Sequence, residues 1–118
     1  MAAGEPYVVN RADLAVDAGS PEFVGADHGG GARICLILVD APPGSGPRLH
    51  RHPYEEVFVV LEGRAAYLAG ERELDASAGD IVVVPAGLPH RFFNAGEGRL
   101  RQIDIHVSPR FDTEWLED

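Results

Sequence analysis

Residues 44–63 read GSGPRLHRHPYEEVFVVLEG, and the interpretation of the whole chain depends on this stretch. It carries His50 and His52, two positions apart, with Glu56 shortly after them. On a β-strand, side chains two positions apart point to the same face of the sheet. Imidazole is the commonest protein ligand for divalent transition metals, and a carboxylate adds negative charge and a hard oxygen donor. The stretch is therefore a candidate metal site, although two histidines on one strand face are weak evidence by themselves.

A second stretch, residues 79–94, reads GDIVVVPAGLPHRFFN and places His90 at the end of an apolar run. Together the two stretches resemble the two sequence motifs of the cupin superfamily, and every gap between the fixed positions agrees with the family's spacing. The fixed positions of the first motif are Gly44, His50, His52, Glu56 and Gly63. Those of the second are Gly79, Pro85, Gly87, His90 and Asn94.

The resemblance implies an all-β, single-domain fold, a jelly-roll β-barrel of two antiparallel sheets. It also implies one divalent transition metal ion held by His50, His52, Glu56 and His90, with Glu56 rather than Glu55 at the motif position. Nitrogen and oxygen donors of this kind suit Mn²⁺, Fe²⁺, Co²⁺, Ni²⁺, Cu²⁺ and Zn²⁺ alike. The resemblance does not fix the reaction, because cupins include dioxygenases, decarboxylases, isomerases, lyases and binders without catalytic activity.

Length and composition limit the alternatives. A chain of 118 residues is one domain, and its net charge of −9 argues against nucleic acid or an anionic membrane as a partner. All ten basic residues are arginine, which excludes Schiff-base chemistry. Cys35 is the only cysteine, so no intrachain disulfide is possible, and no secretory signal or membrane-length apolar run is visible. We expect a cytoplasmic protein.

Apolar runs between glycine- and proline-rich turns predict the strands of the barrel. The predicted strands cover residues 32–40, 48–52, 57–61, 64–69, 72–74, 81–84, 90–94 and 100–107. We divide the chain into an N-terminal edge segment and loop (1–31), the cupin barrel (32–107) and a C-terminal tail (108–118). Tyr7 to Val9 and Phe23-Val24 are strand-like clusters in the first segment, and Trp115 with Leu116 suggests a short helical turn in the tail. Because 32–40 and 57–61 are apolar on both faces, we expect a homodimer.

The last predicted strand offers candidate catalytic residues. Gln102, Asp104 and His106 alternate with Ile103 and Ile105, so the strand has one polar face. If that face points into the barrel, Asp104 and His106 are acid–base candidates; if it points outward, they are solvated.

Other polar residues near the motifs have simpler interpretations. His28 lies beside three glycines and is expected to be a loop residue rather than a ligand. Arg51 and Arg91 alternate away from the histidines and should pair with acidic residues outside, whereas Arg48 could bind a substrate carboxylate.

Two functions are consistent with these residues. The first is a metal-dependent enzyme acting on a small oxygenated metabolite, by dioxygenase or by isomerase, lyase or cyclase chemistry. The second is a metal-assisted module that binds or senses a small molecule without turnover.

Overall fold

The computed structural model of the protein describes residues 4–28 and 31–117, and strands dominate its regular structure. The strands of those residues are β1 (Ala15–Asp17), β2 (Ser20–Val24), β3 (Cys35–Ala41), β4 (His50–Arg51), β5 (Glu56–Glu62), β6 (Arg64–Ala69), β7 (Arg72–Ser77), β8 (Ile81–Val84), β9 (His90–Asn94), β10 (Leu100–His106) and β11 (Glu114–Trp115). Two three-residue 3₁₀ helices, Arg11–Asp13 and Gly25–Asp27, lie among them. No helix in these residues has the length and apolar character that a membrane crossing requires.

The strands form two antiparallel sheets that pack face to face. One sheet has six strands in the order β1-β2-β3-β10-β5-β8, and the other has five in the order β11-β4-β9-β6-β7. Consecutive strands repeatedly change sheet, as in a jelly roll. The predicted fold class, an all-β jelly roll of two antiparallel sheets, is confirmed.

The apolar core fills one part of the space between the sheets. Alternation along β5 turns Phe58 and Val60 inward, where each is about 1% exposed. The Phe58 ring packs against Tyr67 and Phe92 of the facing sheet, with centroids 5.2 and 5.7 Å apart. Burial of aromatic and branched side chains at such contacts is the main favourable contribution to folding.

Two fixed positions of the cupin motifs have structural rather than chemical roles. Gly63 adopts a φ of +85°, and a Cβ atom there would lie 2.4 Å from the carbonyl oxygen of Arg99, so no other residue fits without movement. The side-chain amide of Asn94 donates to the carbonyls of Ala41 and Gly98, at 3.0 and 2.8 Å. These residues fasten the loops beside the barrel.

The structure differs from the predicted strands mainly near the termini. Tyr7 to Val9 is not a strand; the Tyr7 hydroxyl donates instead to the carbonyl of His28, at 3.3 Å. The first strand is β1, which forms a hairpin with β2 through Ala18 and Gly19, both with positive φ. The helical turn predicted at Trp115 and Leu116 is wrong, because β11 pairs with β4 and the Leu116 amide donates to the Leu49 carbonyl at 3.0 Å.

Candidate metal centre

The four predicted metal ligands meet between the two sheets. His50 begins β4, His90 begins β9, and these two residues are direct partners across the antiparallel β4–β9 pair. His52 follows β4 by one residue and projects into the same space. Glu56 begins β5 and approaches from the opposite sheet. All four residues are buried, with between 2% and 7% of their surface exposed.

The donor atoms of these residues are close enough to share one ion. One ligand atom from each of the four lies within 4.8 Å of every other. Nε2 of His52 and Nε2 of His90 are each 3.0 Å from the same carboxylate oxygen, Oε1 of Glu56. Metal–nitrogen and metal–oxygen bonds are about 2.1 Å long, so two donors at right angles around one ion would be about 3.0 Å apart. The spacing of the donors therefore fits a transition metal.

Hydrogen bonds on the far side of each ring orient the three imidazoles. Nδ1 of His50 lies 2.7 Å from the carbonyl oxygen of Arg48, Nδ1 of His52 lies 2.9 Å from that of Asp112, and Nδ1 of His90 lies 2.9 Å from that of Leu88. A carbonyl can only accept, so each Nδ1 carries the hydrogen and donates it. In the neutral ring, Nε2 then keeps the lone pair that a metal requires.

The charges of the cluster also fit a cation. Burial lowers the pKa of His50 to about 4, so this ring is neutral at neutral pH. Burial alone would raise the pKa of Glu56, but the imidazoles of His106, His52 and His90 bring it well below its usual range, and the group is a carboxylate. Burial opposes protonation of His90, yet hydrogen bonds to Glu56 and to a backbone carbonyl raise its pKa overall. The lone pairs of His52 Nε2 and His90 Nε2 face the Glu56 carboxylate at 3.0 Å and would repel it. A metal ion or protons between these atoms would remove the repulsion.

Comparison with known proteins identifies the family. The family model described as a cupin domain matches residues 37–106, more than half of the chain. The chain is a cupin. This match includes both motifs in full, residues 44–63 and 79–94, and all four candidate ligands.

Two curated relatives share substantial identity with this cupin. An uncharacterised protein of Methanocaldococcus jannaschii is 31% identical over 90 residues, covering 74% of this chain and 72% of that protein. The HTH-type transcriptional regulator PuuR of Escherichia coli is 30% identical over 112 residues, covering 91% of this chain and 60% of the regulator. The cupin therefore corresponds to less than two thirds of PuuR.

A solved structure supports the fold at greater distance. Oxalate decarboxylase of Bacillus subtilis, in a study of its Mn(II) centres, superposes with a TM-score of 0.76 at 22% identity. The superposition covers 87% of this chain and 29% of that one. At this identity the likeness concerns the fold alone.

The polar face of β10 points into the barrel of this cupin. Gln102, Asp104 and His106 are only 1% to 3% exposed, whereas Ile103 and Ile105 between them face outward. Gln102 donates to Asp104 from Nε2 to Oδ1 at 2.7 Å and accepts a hydrogen bond from the Tyr67 hydroxyl. Asp104 and His106 therefore face the barrel interior, as a catalytic role would require, and their part in catalysis stays a prediction.

The two candidate catalytic side chains have different surroundings. Burial, together with the negative charge of Glu56, raises the pKa of Asp104 well above its ordinary value, so its carboxyl holds a proton where an exposed aspartate has lost it. His106 instead touches the metal ligands: its Nε2 lies 3.1 Å from Oε2 of Glu56. Its Nδ1 lies 2.8 Å from the Tyr54 hydroxyl.

The remaining polar residues lie away from the ligands. Arg51 forms a two-point ion pair with Glu114, and Arg91 pairs with Glu117 at 3.3 Å, so both outward-facing predictions are confirmed. His28 stacks on Phe23, with ring centroids 4.7 Å apart, and is outside the ligand cluster. The Arg48 guanidinium rests over the ring of Trp115 at 4.8 Å.

The segment after β10 contributes contacts that the sequence did not predict. The carbonyl of Asp112 orients His52, the Phe111 ring packs edge-on against His106 at 4.8 Å, and Trp115 lies 5.0 Å from His50. These contacts use backbone atoms and common aromatic packing, which have no recognisable spacing in a sequence. The segment is nevertheless part of the wall of the site.

One cleft reaches the ligands from outside. It has a volume of about 260 Å³, is lined by His52, Gly87 and Asp112, and has the Arg51–Glu114 pair at its edge. A larger groove of about 620 Å³ lies over β6, β7 and β9 and has none of the four ligands in its lining. Of these two clefts, the smaller one borders a candidate ligand, His52, and so offers a route to the site.

Proposed function

We propose that this cupin is a metal-dependent enzyme that acts on a small oxygenated metabolite. It would hold one divalent transition metal ion through His50, His52, Glu56 and His90. The observation that carries the proposal is the cluster of three imidazoles and one carboxylate, whose ligand atoms lie within 4.8 Å of one another, with each ring held by a carbonyl behind it. Bound there, the metal would supply a Lewis acid for a carbonyl, enolate or carboxylate oxygen.

Three imidazoles and one carboxylate favour first-row transition metals but do not select one of them. Neutral imidazoles and one carboxylate accept Mn²⁺, Fe²⁺, Co²⁺, Ni²⁺, Cu²⁺ or Zn²⁺. Mn²⁺ is the first ion to test, since the oxalate decarboxylase with a similar fold is described by its Mn(II) centres. Equilibrium dialysis of chelator-treated protein against each ion separately would rank their affinities.

The reaction class that we favour is proton transfer at the metal-bound substrate, as in isomerases and lyases. Asp104 provides the support, because it is buried in the barrel and keeps its proton. Two positions along β10 separate it from His106, which places it about 7 Å along the strand from His106 on the same inner face. A neutral carboxyl can give its proton to a substrate oxygen and take it back later, so Asp104 would act as general acid and then base.

The test is turnover with and without oxygen. Protein stripped with a chelator and reloaded with each metal would be incubated with small hydroxy, oxo and dicarboxylic acids, with consumption followed by NMR. We expect equal turnover in air and under nitrogen, lost in His50→Ala/His52→Ala. Turnover in air alone would replace proton transfer by dioxygenase chemistry, and binding without turnover would overturn the enzyme proposal.

A second candidate is a non-catalytic module that binds or senses a small ligand. The observation in its favour is the relationship to the transcriptional regulator PuuR, whose match covers 91% of this chain. Residues 4–28 and 31–117 contain no helix-turn-helix, so any sensor role would need a partner or another domain. Ligand binding at the metal with no product formed would support this candidate.

We also propose that the protein is a homodimer formed through the outer face of the six-stranded sheet. Two rows of apolar side chains cross that face. One row aligns Leu36, Ile105, Val57 and Val83, and the other aligns Leu38, Ile103, Val59 and Ile81. Ile81 and Val83 are 64% and 57% exposed.

A second copy of the chain is the occupant that fits this face. On strands about 4.8 Å apart the two rows cover a few hundred Å², the size at which exposed apolar patches mark interaction sites. A twisted sheet packs well against another sheet. Asp40, Arg101 and Glu62 border the rows and carry both signs of charge, so two copies can oppose unlike charges. A standard interface buries about 800 Å² per partner, so the contact would extend from the two rows onto this rim.

The dimer is tested by light scattering of wild type, Ile103→Arg and Val8→Arg at micromolar concentration. Ile103 is central in the face, whereas Val8 is 94% exposed and far from it in the sequence. We expect Ile103→Arg to be a monomer and the other two proteins to be dimers. A monomeric wild type would end this proposal.

We propose a cytoplasmic location for the protein. Its one thiol, Cys35, is fully buried, and burial raises its pKa, so the thiol is protected from oxidation. Cell fractionation with antibodies against the protein would test the location.

A further inference from the structure

His106 differs from the three ligand histidines in what holds its ring. The Tyr54 hydroxyl lies 2.8 Å from Nδ1 of His106 and also receives the backbone N–H of Asp112, at 3.3 Å. A phenol has one hydrogen. Its oxygen accepts from Asp112, which leaves the hydrogen available for Nδ1 of His106; when the phenol donates it there, that nitrogen is an acceptor. The ordinary pKa of a phenol is about 10, so the hydroxyl keeps this hydrogen at neutral pH.

The tautomer of His106 follows from this hydrogen bond. If Nδ1 accepts, the neutral ring carries its hydrogen on Nε2 and has no lone pair there for a metal. Nε2 is buried and makes no well-aligned hydrogen bond, although Oε2 of Glu56 lies only 3.1 Å from it. That oxygen is distinct from Oε1, which faces His52 and His90.

We propose that His106 is a positioning residue, which donates from Nε2 to Oε2 of Glu56 and thereby turns Oε1 of Glu56 toward the metal. Tyr54 stands behind it and fixes its tautomer. Together they leave one carboxylate oxygen for the ion and keep His106 from becoming a fifth ligand. The inference rests on the proposed metal site, and it assigns His106 a role on Glu56 instead of the acid–base role predicted from sequence.

The fold explains why these groups meet. His106 and Glu56 are direct partners in the antiparallel β10–β5 pair, so their side chains share the inner face. Tyr54 comes from the turn between β4 and β5, and its ring stacks on His52 with centroids 4.9 Å apart. Phe111 closes the other side of the His106 ring. These contacts hold the His106 ring beside the carboxylate, with Nε2 3.1 Å from Oε2 of Glu56.

The position of the hydrogen can be measured directly in the wild-type protein. Long-range ¹H–¹⁵N NMR separates the two tautomers of each histidine, in metal-free and in Zn²⁺-loaded protein. We expect His106 to be protonated on Nε2 in both states, and His50, His52 and His90 on Nδ1 in the Zn²⁺ form. A His106 ring protonated on Nδ1, with Nε2 shifted by the metal, would make it a ligand and overturn the proposal.

Variants test whether the donor matters to the metal. Affinity for Mn²⁺ is measured by competition with a chelator, and ligand geometry by the visible spectrum of the Co²⁺ form. We expect His106→Leu to weaken binding about 10- to 100-fold. His106→Gln, whose amide N–H replaces Nε2–H, should stay within about threefold of wild type with an unchanged Co²⁺ spectrum, and Tyr54→Phe should fall between these two. Circular dichroism of the metal-free forms controls for folding.

A reference variant separates failure of this inference from failure of the metal site. His50→Ala should lose most of the bound metal. If it does, and His106→Leu binds Mn²⁺ as wild type does, His106 does not position Glu56. If His50→Ala itself binds metal as wild type does, the proposed site is wrong.

Discussion

Replacing Asp104 by asparagine should change how the stability of the metal-free protein depends on pH. The folded-state pKa of Asp104 is raised by burial and by the charge of Glu56, while an unfolded aspartate titrates near about 3.9. Above about pH 4 the native state therefore holds a proton that the unfolded chain has released, and stability falls as pH rises toward the folded-state pKa. The amide of the Asp104→Asn variant does not titrate, so the variant should lack this loss.

The size of the effect follows from the linkage relation. Between the unfolded-state and folded-state pKa values of Asp104, each pH unit lowers the free energy of unfolding of wild type by about 1.4 kcal/mol relative to Asp104→Asn, or by about 2.7 kcal/mol over two units. The asparagine oxygen can still accept from Gln102, as Oδ1 of Asp104 does at 2.7 Å. If the added N–H finds no acceptor in the barrel, it costs about 1–3 kcal/mol at every pH. The diagnostic quantity is how the difference in unfolding free energy between the two proteins changes with pH, not its constant part.

Urea unfolding of chelator-treated protein between about pH 4 and 7 measures this slope. The matched control is Asp75→Asn, the same change at an exposed side chain on β7, for which we expect a difference within about 0.5 kcal/mol throughout. A flat difference for Asp104→Asn would refute the argument that the buried carboxyl is protonated. If the protein has the proposed activity, the same variant in its metal-loaded form should lower kcat about 100-fold or more, because the proposed proton donor is gone.

Three further changes test the site and the core. His50→Ala/His52→Ala should contain no bound metal by elemental analysis and should still be a folded β protein by circular dichroism. Arg51→Ala, whose side chain faces outward, should bind as much metal as wild type. Equal metal content in wild type and both variants would show that the site lies elsewhere. Bound metal should be released at mildly acidic pH, because protons compete with the metal for the imidazoles. His90 should be protonated first, because its pKa is raised. Metal that is still bound after dialysis at about pH 4 would contradict this prediction. Phe58→Ala should lower the free energy of unfolding by about 3–5 kcal/mol, since the ring is about 1% exposed, and a loss under about 1 kcal/mol in urea titration would argue against its place in the core.

Fixed spacing made the barrel and its ligands predictable from the sequence. His50 and His52 share a strand face by parity alone, and the second motif supplies the partner strand with His90. The strands from β3 to β10 lie close to their predicted limits because apolar runs and turn glycines agree there. At these positions local pattern and tertiary packing favour the same structure.

Elsewhere the sequence was insufficient because tertiary contacts decide the structure. Three-residue β1 has little strand pattern, and its pairing depends on a tight turn through Ala18, a residue uncommon at positive φ. Trp115 is extended because β11 finds an open edge at β4. The tautomer of His106 depends on Tyr54 and on the Asp112 backbone, which are distant in the chain from one another.

The orientation of β10 is the feature that the usual rule would predict wrongly. A strand with one polar face normally turns that face to water, yet here Asp104 and His106 point inward and Ile103 and Ile105 point outward. The inversion has a physical reason at each face. The polar interior is tolerated because Gln102 donates to Asp104 and the Glu56 carboxylate lies 3.1 Å from His106. The apolar exterior is unfavourable in water unless something covers it, and a second copy brings the same apolar rows. On this reasoning the interior site and the proposed dimer are consequences of one strand orientation, so Ile103→Arg should give a monomer while the ligand cluster stays intact.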